Sequence, residues 1–451
     1  MLIELRIKNF RSIGVEQHLS FVASKDPALP DNVVRDISIR GANRPSILRS
    51  ILLYGANASG KSNICQALFY MRACVLRSAT DLNEGDDLLG IVPFKLNSQF
   101  ESGPSLFEVV VSLANGVYRY GFEATASNIE REWLFLTRKE PKSREVTIFE
   151  RRGANKKEWT FGASFLGGAR YLTEHTRPTN CLLLSKGAQE SYQQLVPLFD
   201  WFRDRLLVVN MANPPARILN EVGTRCQKSP GRKDSFAQLA HVADPTVAAV
   251  DIKQEHVIVP QEVYDLLSTQ IESSDQRSVE LPKEFDTTEL TVIRSQNDSP
   301  KDVSFDIDEE SNGTQRFLAV SALLVEAYRK GQTLVLDELE TSLHPLLTRQ
   351  IVETINDPDL GTNGAQFIIA SHDTNLFDFT LLRRDQIFLV QKGPDNQTDA
   401  FSVYDLSPKP KGDAAAERQY LNKRFGGVPS LGNLRLALAA ALASDHESKT
   451  I

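Results

Sequence analysis

The stretch that most constrains this chain is Gly55-Ala56-Asn57-Ala58-Ser59-Gly60-Lys61-Ser62, which stands directly behind the apolar run Ile51-Leu52-Leu53-Tyr54. The GxxxxGK(S/T) spacing lets consecutive backbone N–H groups turn inward on a phosphate chain. Lys61 then supplies a point charge for β- and γ-phosphates, and the Ser62 hydroxyl is placed to hold Mg²⁺. Such a loop needs a strand before it and a helix after it. The apolar run supplies the strand, and Ile64, Ala67, Leu68, Met71, Cys74 and Val75 recur as one buried helical face would. The expectation is a phosphate-binding site built on an α/β core, with Gly55, Gly60, Lys61 and Ser62 around it.

The rest of the chain reads as layers added to that core. Residues 2 to 8 alternate, with Ile3, Leu5 and Ile7 on one face and Glu4, Arg6 and Lys8 on the other, which predicts a half-exposed strand closed by Asn9-Phe10-Arg11-Ser12. Residues 13 to 45 have little periodicity, so the second core strand is expected only at Ile47 to Tyr54. Asp81 to Asp87 reads as a solvated connection. From Phe107 the texture changes. Strands are expected at Phe107 to Leu113, Val117 to Ala124, Ile129 to Leu136, Val146 to Arg151 and Lys157 to Phe161, the first two joined by a turn at Asn115-Gly116. This antiparallel meander, about residues 107–161, reads as a second layer over the nucleotide-binding sheet rather than a separate binding module.

Ser185 to Leu206 reads as helical and Leu206 to Met211 as a buried strand. Between Ala212 and Asp302 polarity rises, with loops expected at Gln227 to Asp234 and Ser295 to Lys301 and a helix over Phe236 to Val250. No heptad pattern is sustained and no fixed-period repeat is visible. Val303 to Val390 returns to buried strands and amphipathic helices. The expected organisation is a core in two parts, residues 1–211 and 303–405, with a partly helical insertion at 212–302 and a tail at 406–451.

Composition narrows the function classes. A chain of 451 residues with 41% hydrophobic residues can bury a full core. A net charge of −7 argues against a surface that grips nucleic acid everywhere, while leaving room for a local basic patch. Cys65, Cys74, Cys181 and Cys226 lack the CxxC spacing of a zinc site and read as reduced thiols of a cytoplasmic protein. Charge at Glu4 and Arg6 comes too early for a signal peptide, and the longest apolar run, Leu436 to Ala443, is too short to span a membrane.

Three distal motifs bear on the phosphate site. Thr333-Leu334-Val335-Leu336 suits a strand buried on both faces and ends in Asp337-Glu338. Carboxylates at the end of a core parallel strand lie beside the phosphate loop, where Asp337 can orient Mg²⁺ and Glu338 can polarise an attacking water. Glu310-Ser311-Asn312-Gly313-Thr314-Gln315 precedes a helix over Gln315 to Lys330 and offers a hydroxyl and free backbone N–H groups, either as a plain cap or as a second anion site. Gln366 to Ala370 is a further buried strand followed by Ser371-His372-Asp373, whose histidine can reach a γ-phosphate as polar sensor or proton carrier. His344 is a weaker candidate, because Pro345 can simply start a helix.

Together, Asn9-Phe10-Arg11-Ser12, Gly55-x4-Gly60-Lys61-Ser62-Asn63, Ser311-x-Gly313-Thr314-Gln315, Asp337-Glu338 with Ser342-Leu343-His344-Pro345, and Ser371-His372-Asp373 resemble the ABC-type ATPase heads of the RecF, SMC and OLD group. More narrowly the chain resembles the RloA/AbiL-like bacterial AAA ATPases, many of them in phage-defence operons. Tyr120-Gly121-Phe122, Glu132-Trp133-Leu134, Arg383-Arg384-Asp385-Gln386-Ile387 and Tyr420-Leu421-x3-Phe425-Gly426-Gly427 carry that closer match. The resemblance implies an α/β P-loop NTPase fold of the ABC-head type, with a mixed central sheet, an added antiparallel β layer and a helical subdomain. It implies ATP and Mg²⁺ as ligands, with Arg11, Asn57 and Asn63 joining the loop in nucleotide binding. It also implies that Ser311, Gly313 and Thr314 of one chain close over the γ-phosphate held by Lys61 of another, with Glu338 and His372 catalytic. Asn312 departs from the family by replacing the usual first glycine of the signature, and no Q-loop glutamine can be placed.

The expected function is an ATPase that forms a homodimer or higher oligomer with composite sites. In antiviral defence it would sense a phage trigger or control a separate effector. The residues after Val390 are too few for the Toprim nuclease of OLD-type relatives, so a nuclease of Toprim or HNH type is expected as another polypeptide. The alternatives are a DNA-repair or chromosome-maintenance ATPase acting directly on DNA, marked by salt-sensitive binding, and a nucleotide-gated scaffold with negligible turnover. ATP and GTP are not distinguished by these motifs.

Overall fold

The computed structural model describes the chain except for residues 36–44, 89, 141–142, 228–229, 259, 262–283, 296–300, 408–415, 429–433 and 439–451. Its centre is a six-stranded sheet in the spatial order Leu206–Asn210, Thr333–Asp337, Gln366–Ser371, Ser50–Tyr54, Ile387–Lys392 and Thr398–Ser402. The first five strands run parallel and the last is antiparallel. Ser50–Tyr54, Thr333–Asp337 and Gln366–Ser371 are buried at every position, as strands covered on both faces must be.

One face of this sheet is covered by the helix Lys61–Arg77, which follows the phosphate loop. The helix has no side-chain N-cap and no acidic residue in its first turn. Packing holds it: Ile64, Leu68, Met71 and Val75 are fully buried, each contributing roughly 1.5–3 kcal/mol. Beyond it lies a seven-stranded antiparallel sheet in the order Thr160–Phe161, Val146–Arg152, Ile129–Arg138, Gly116–Ala124, Ser105–Leu113, Leu2–Lys8 and Gln17–Ser20. Ile3, Leu5 and Ile7 join Ile51 and Leu53 in the shared core, so the expected second layer is present and the first strand belongs to it.

The opposite face packs Leu52, Tyr54, Leu334, Leu336, Phe367 and Ile369 against the helices Asn312–Lys330, Pro345–Ile355 and Ala416–Leu421. The helices Ala216–Gln227 and Pro230–Ala243, with a three-stranded antiparallel sheet of Ala249–Ile258, Glu284–Ser295 and Asp302–Asp306, form a further cluster. This cluster packs on Leu318, Ala319 and Ala322 of the helix Asn312–Lys330. The arrangement is that of a P-loop NTPase, with the loop between the strand Ser50–Tyr54 and the helix Lys61–Arg77. No helix among the described residues is long and apolar enough to cross a membrane.

Several local expectations are corrected. Gln17–Ser20 is a strand that the weak periodicity of residues 13 to 45 did not reveal, because it is set by pairing with Leu2–Lys8. The hairpin turn is Ala114-Asn115, one residue earlier than expected, since Leu113 pairs with Gly116. The helix expected over Ser185 to Leu206 is interrupted: Leu183–Gln189 ends before Ser191, which has a φ of 60°, and a new helix starts at Val196. Residues 230–234 are helical and not loop, with Pro230 as first residue, where its missing N–H costs nothing. That helix stops at Ala243 because Pro245 disfavours helical backbone at Asp244. Val250, expected in the helix, pairs as strand with Val292. The loop expected at Ser295 to Lys301 falls mostly on residues 296–300, outside the described residues.

Two of the family-like motifs have structural work. Arg383 and Asp385 form a buried ion pair that holds the Ser24 and Ala28 backbone, while Gln386 bridges Asn32, Ser50 and Asn356. Glu132 and Arg151 form a fully buried pair at 3.7 Å. Glu132 also accepts from Tyr120 and from the Leu183 and Leu184 amides, and Arg151 donates to the Cys181 and Pro178 carbonyls. Burial raises the pKa of Glu132 and lowers that of Arg151, each against the pull of its partner. Removing one member strands the other charge, so Glu132→Ala is expected to destabilise the antiparallel layer by about 3–5 kcal/mol. Urea unfolding of parent and variant measures this; a difference under about 1 kcal/mol would mean that the pair behaves like an exposed one.

Candidate functional site

The phosphate loop is shaped by its neighbours as much as by its own residues. Gly60 precedes the helix with a φ of 113°, a left-handed conformation that L side chains rarely adopt. A side chain there would also overlap Thr398, and one at Gly55 would overlap the Val390 carbonyl. The strand Ile387–Lys392 and the edge strand Thr398–Ser402 therefore lie directly against the loop. Thr398 Oγ1 donates to the Ser59 carbonyl at 2.9 Å and lies 2.7 Å from Ser12 Oγ, which accepts from Asn63 Nδ2 at 2.5 Å. The Ala56 amide donates to the Gly427 carbonyl at 3.2 Å. Tyr420 Oη donates to the same carbonyl at 2.7 Å, and the Gly427 amide donates to Gln391 Oε1 at 2.9 Å.

At the loop's end, Lys61 Nζ donates to the Gly55 and Ala56 carbonyls at 2.7 and 2.9 Å. Ser62 Oγ donates to Asp337 Oδ1 at 3.1 Å, and Asn210 Nδ2 approaches Asp337 Oδ2 at 3.4 Å. Asn57 and Ala58 are exposed on the loop's crest. The site thus joins the loop, the end of Thr333–Asp337 and the end of Leu206–Asn210.

The following turn adds two more carboxylates. Glu338 has a φ of 59°, and its amide donates to the Ala370 carbonyl at 3.0 Å; a non-glycine residue in this region carries local strain of the kind that collects at functional turns. Glu340 Oε1 accepts from His372 Nδ1 at 2.6 Å and from the His372 amide at 2.8 Å. Its Oε2 is buried without a hydrogen-bond partner among the described residues. Burial pushes the Asp337 carboxyl pKa up; the Ser62 hydrogen bond works against this, and the charge of Glu338 adds to it. Burial pushes the Lys61 ammonium pKa down, opposed by Glu340, Asp337 and Glu338 in that order. A buried carboxylate destabilised by its surroundings is a place where a cation is favoured.

Other expected residues stand apart. Ser311 Oγ accepts from the Thr314 amide at 3.1 Å, so it caps the helix Asn312–Lys330; Ser311 is exposed and Thr314 half-buried. Gly313 lies beside the Ser342 carbonyl, whose oxygen would stand 3.0 Å from a Cβ added there. Among the described residues no hydrogen bond or ion pair joins Ser311, Gly313 or Thr314 to the phosphate loop. Arg11 is exposed, with a φ of 54° and its guanidinium 5.5 Å from the Phe10 ring. Asn63 is engaged by Ser12. His344 accepts from the Leu346 amide through Nδ1 and caps the helix opened by Pro345, in line with its weaker standing.

Sequence reasoning missed Glu340, Thr398, Asn210 and Gly427. Glu340 is only three residues beyond Asp337, but its role depends on His372, which is distant in sequence. Thr398 and Asn210 have no local signature, and Gly427, although part of the Phe425-Gly426-Gly427 motif, was given no place at the loop, which it reaches through a tail contact.

Comparison with known proteins finds a family model described as "AAA domain, putative AbiEii toxin, Type IV TA system" that matches residues 50–378. Among solved structures, the SMC head domain from Thermotoga maritima aligns over 89% of this chain and 98% of its own, at 12% identity and a TM-score of 0.37. The Smc head domain with an extended coiled coil bound to the C-terminal domain of ScpA, from Pyrococcus furiosus, aligns over 94% of this chain and 99% of its own, at 11% identity and a TM-score of 0.35. Among curated proteins none matches the chain.

The loop-bracing network generates a prediction. Thr398→Val keeps shape but removes the hydroxyl that supports Ser59 and Ser12, which is expected to lower stability by about 1–3 kcal/mol. Denaturant midpoints of the two proteins check it, and equal midpoints would mean that the loop does not depend on this contact.

Proposed function

The chain belongs to this AAA-domain family, and from that premise we propose that it binds and hydrolyses ATP at sites completed between two copies of itself. The observation that carries the reading is the separation of two half-sites on one chain. Lys61, Ser62, Asp337, Glu338 and the Glu340–His372 pair gather around one loop, while Gly313, Thr314 and the exposed Ser311 lie at a helix start that, among the described residues, has no bond to that loop. A helix start with an exposed hydroxyl and free amides suits a phosphate brought by another subunit.

The residues present fit a magnesium nucleotide. The Asp337 carboxyl is held in its less favourable buried setting beside the Ser62 hydroxyl, which are the two protein groups that would hold the ion. When bound, Mg²⁺ would neutralise charge on the phosphates. Gly60 and the amides after it cradle phosphate oxygens, and Lys61 exchanges its loop carbonyls for them. Gly55, Asn57 and Asn63 line the loop, and Arg11 reaches the nucleotide from the Asn9–Ser12 turn. Glu338 orients the attacking water, and His372 contacts the terminal phosphate.

Nucleotide-gated assembly follows from this division, since ATP becomes part of the subunit interface and its hydrolysis releases the contact. In the cell, the reading is a cytoplasmic phage-defence ATPase that answers a phage trigger and controls a separate effector such as a Toprim-type or HNH nuclease. The motif resemblance and the toxin–antitoxin description of the family support this role.

Two variants test the biochemical core. Glu338→Gln is expected to keep ATP bound while slowing single-turnover hydrolysis about a hundredfold or more, so that assembled protein accumulates by light scattering. Hydrolysis at the parental rate would move the water-orienting role elsewhere. Ser311→Arg is expected to leave ATP binding to the isolated subunit unchanged and to abolish ATP-driven association; association at the parental level would count against composite sites.

A further inference from the structure

We propose that Glu340 is the positioning residue of this site: it fixes the rotation and tautomer of His372 so that Nε2 is the ring nitrogen presented to the nucleotide. The inference rests on the ATPase reading and deepens it. Three observations converge. The His372 side chain is about half exposed, 52%, so packing alone does not fix its ring. Glu340, by contrast, is only 12% exposed and anchored in the turn that also carries Asp337 and Glu338. Its Oε1 takes both the ring Nδ1 and the backbone amide of His372, at 2.6 and 2.8 Å, so one oxygen ties the imidazole and its own main chain to a single point.

A carboxylate only accepts, which requires Nδ1 to carry a proton. A neutral His372 is therefore the Nδ1–H tautomer, with the Nε2 lone pair left for a nucleotide-side partner; which nitrogen is used is set by the bond the other one makes. The turn is held to the histidine strand a second time, by the Glu338 amide on the Ala370 carbonyl. Glu338 and His372 are thus linked through backbone and carboxylate at adjacent strand ends, and a shift of one carries to the other. Glu340 also contributes most among the charges that oppose the fall in the Lys61 pKa, and its Oε2 has no hydrogen-bond partner among the described residues. As a stabiliser of the fold, a pair with one half-exposed member contributes little; as a positioner it acts on a group where small displacements are costly.

The test uses the full chain. Glu340→Ala is expected to slow single-turnover ATP hydrolysis on the order of tenfold or more while ATP affinity stays within about threefold. Glu340→Gln, which keeps an acceptor oxygen, is expected to recover part of that loss. If Glu340 acts through His372, Glu340→Ala combined with His372→Ala is no slower than His372→Ala alone. A parental rate in Glu340→Ala, or a double variant in which both losses multiply, overturns the inference and leaves the ATPase reading standing. A parent chain that binds ATP without hydrolysing it overturns both. If Glu340→Ala does not fold, ¹⁵N NMR of histidine-labelled parent, assigned with His372→Gln, decides: the Nδ1–H tautomer supports the inference and the Nε2–H tautomer overturns it.

Discussion

The in-register parallel pairing of Ser50–Tyr54, Gln366–Ser371 and Thr333–Asp337 is the constraint on which the site depends. Leu53 pairs with Ala370, and Ala370 pairs with Asp337, so three chain segments far apart in sequence end at the same edge. From that edge leave the phosphate loop, the Glu338–Glu340 turn and His372. A slip of one residue in either pairing would turn the side chains of that strand to the opposite face, and the complete burial of all three strands opposes such a slip. Hydrophobic registration of these strands therefore positions the residues of the site.

The polar contacts then act on a small scale. Ser62 bonds Asp337, Glu340 bonds His372, and Thr398 bonds the Ser59 carbonyl. Burial works against the charge on both Lys61 and Asp337, so the loop and the carboxylate strand each hold a charge that a phosphate or a cation would relieve. Elsewhere the buried pairs Glu132–Arg151 and Arg383–Asp385 tie layers together and have no part in this balance.

Much of this was legible in sequence because it is local. The loop, its preceding strand and the buried face of its helix follow from spacing alone, as do the alternating strand Leu2–Lys8 and the carboxylates closing an apolar run. What was not legible depends on partners remote in the chain. Gln17–Ser20 has too short an alternation to be recognised without Leu2–Lys8 beside it, and Val250 looked helical until paired with Val292. Glu340 resembles any solvated acid until His372 is folded against it. Gly427 lies in a segment read as tail, yet its carbonyl accepts from the phosphate loop itself. Asn63, expected at the nucleotide, donates to Ser12, a contact that no motif spacing encodes.

The central claim is that these converging residues form a magnesium–nucleotide site, and equilibrium binding of a fluorescent ATP analogue to the full chain, titrated with Mg²⁺ and then with a chelator, tests it most directly. The account predicts saturable binding of one nucleotide per chain that tightens with Mg²⁺ and weakens when the ion is removed. Absence of saturable binding, or binding indifferent to Mg²⁺, would contradict it.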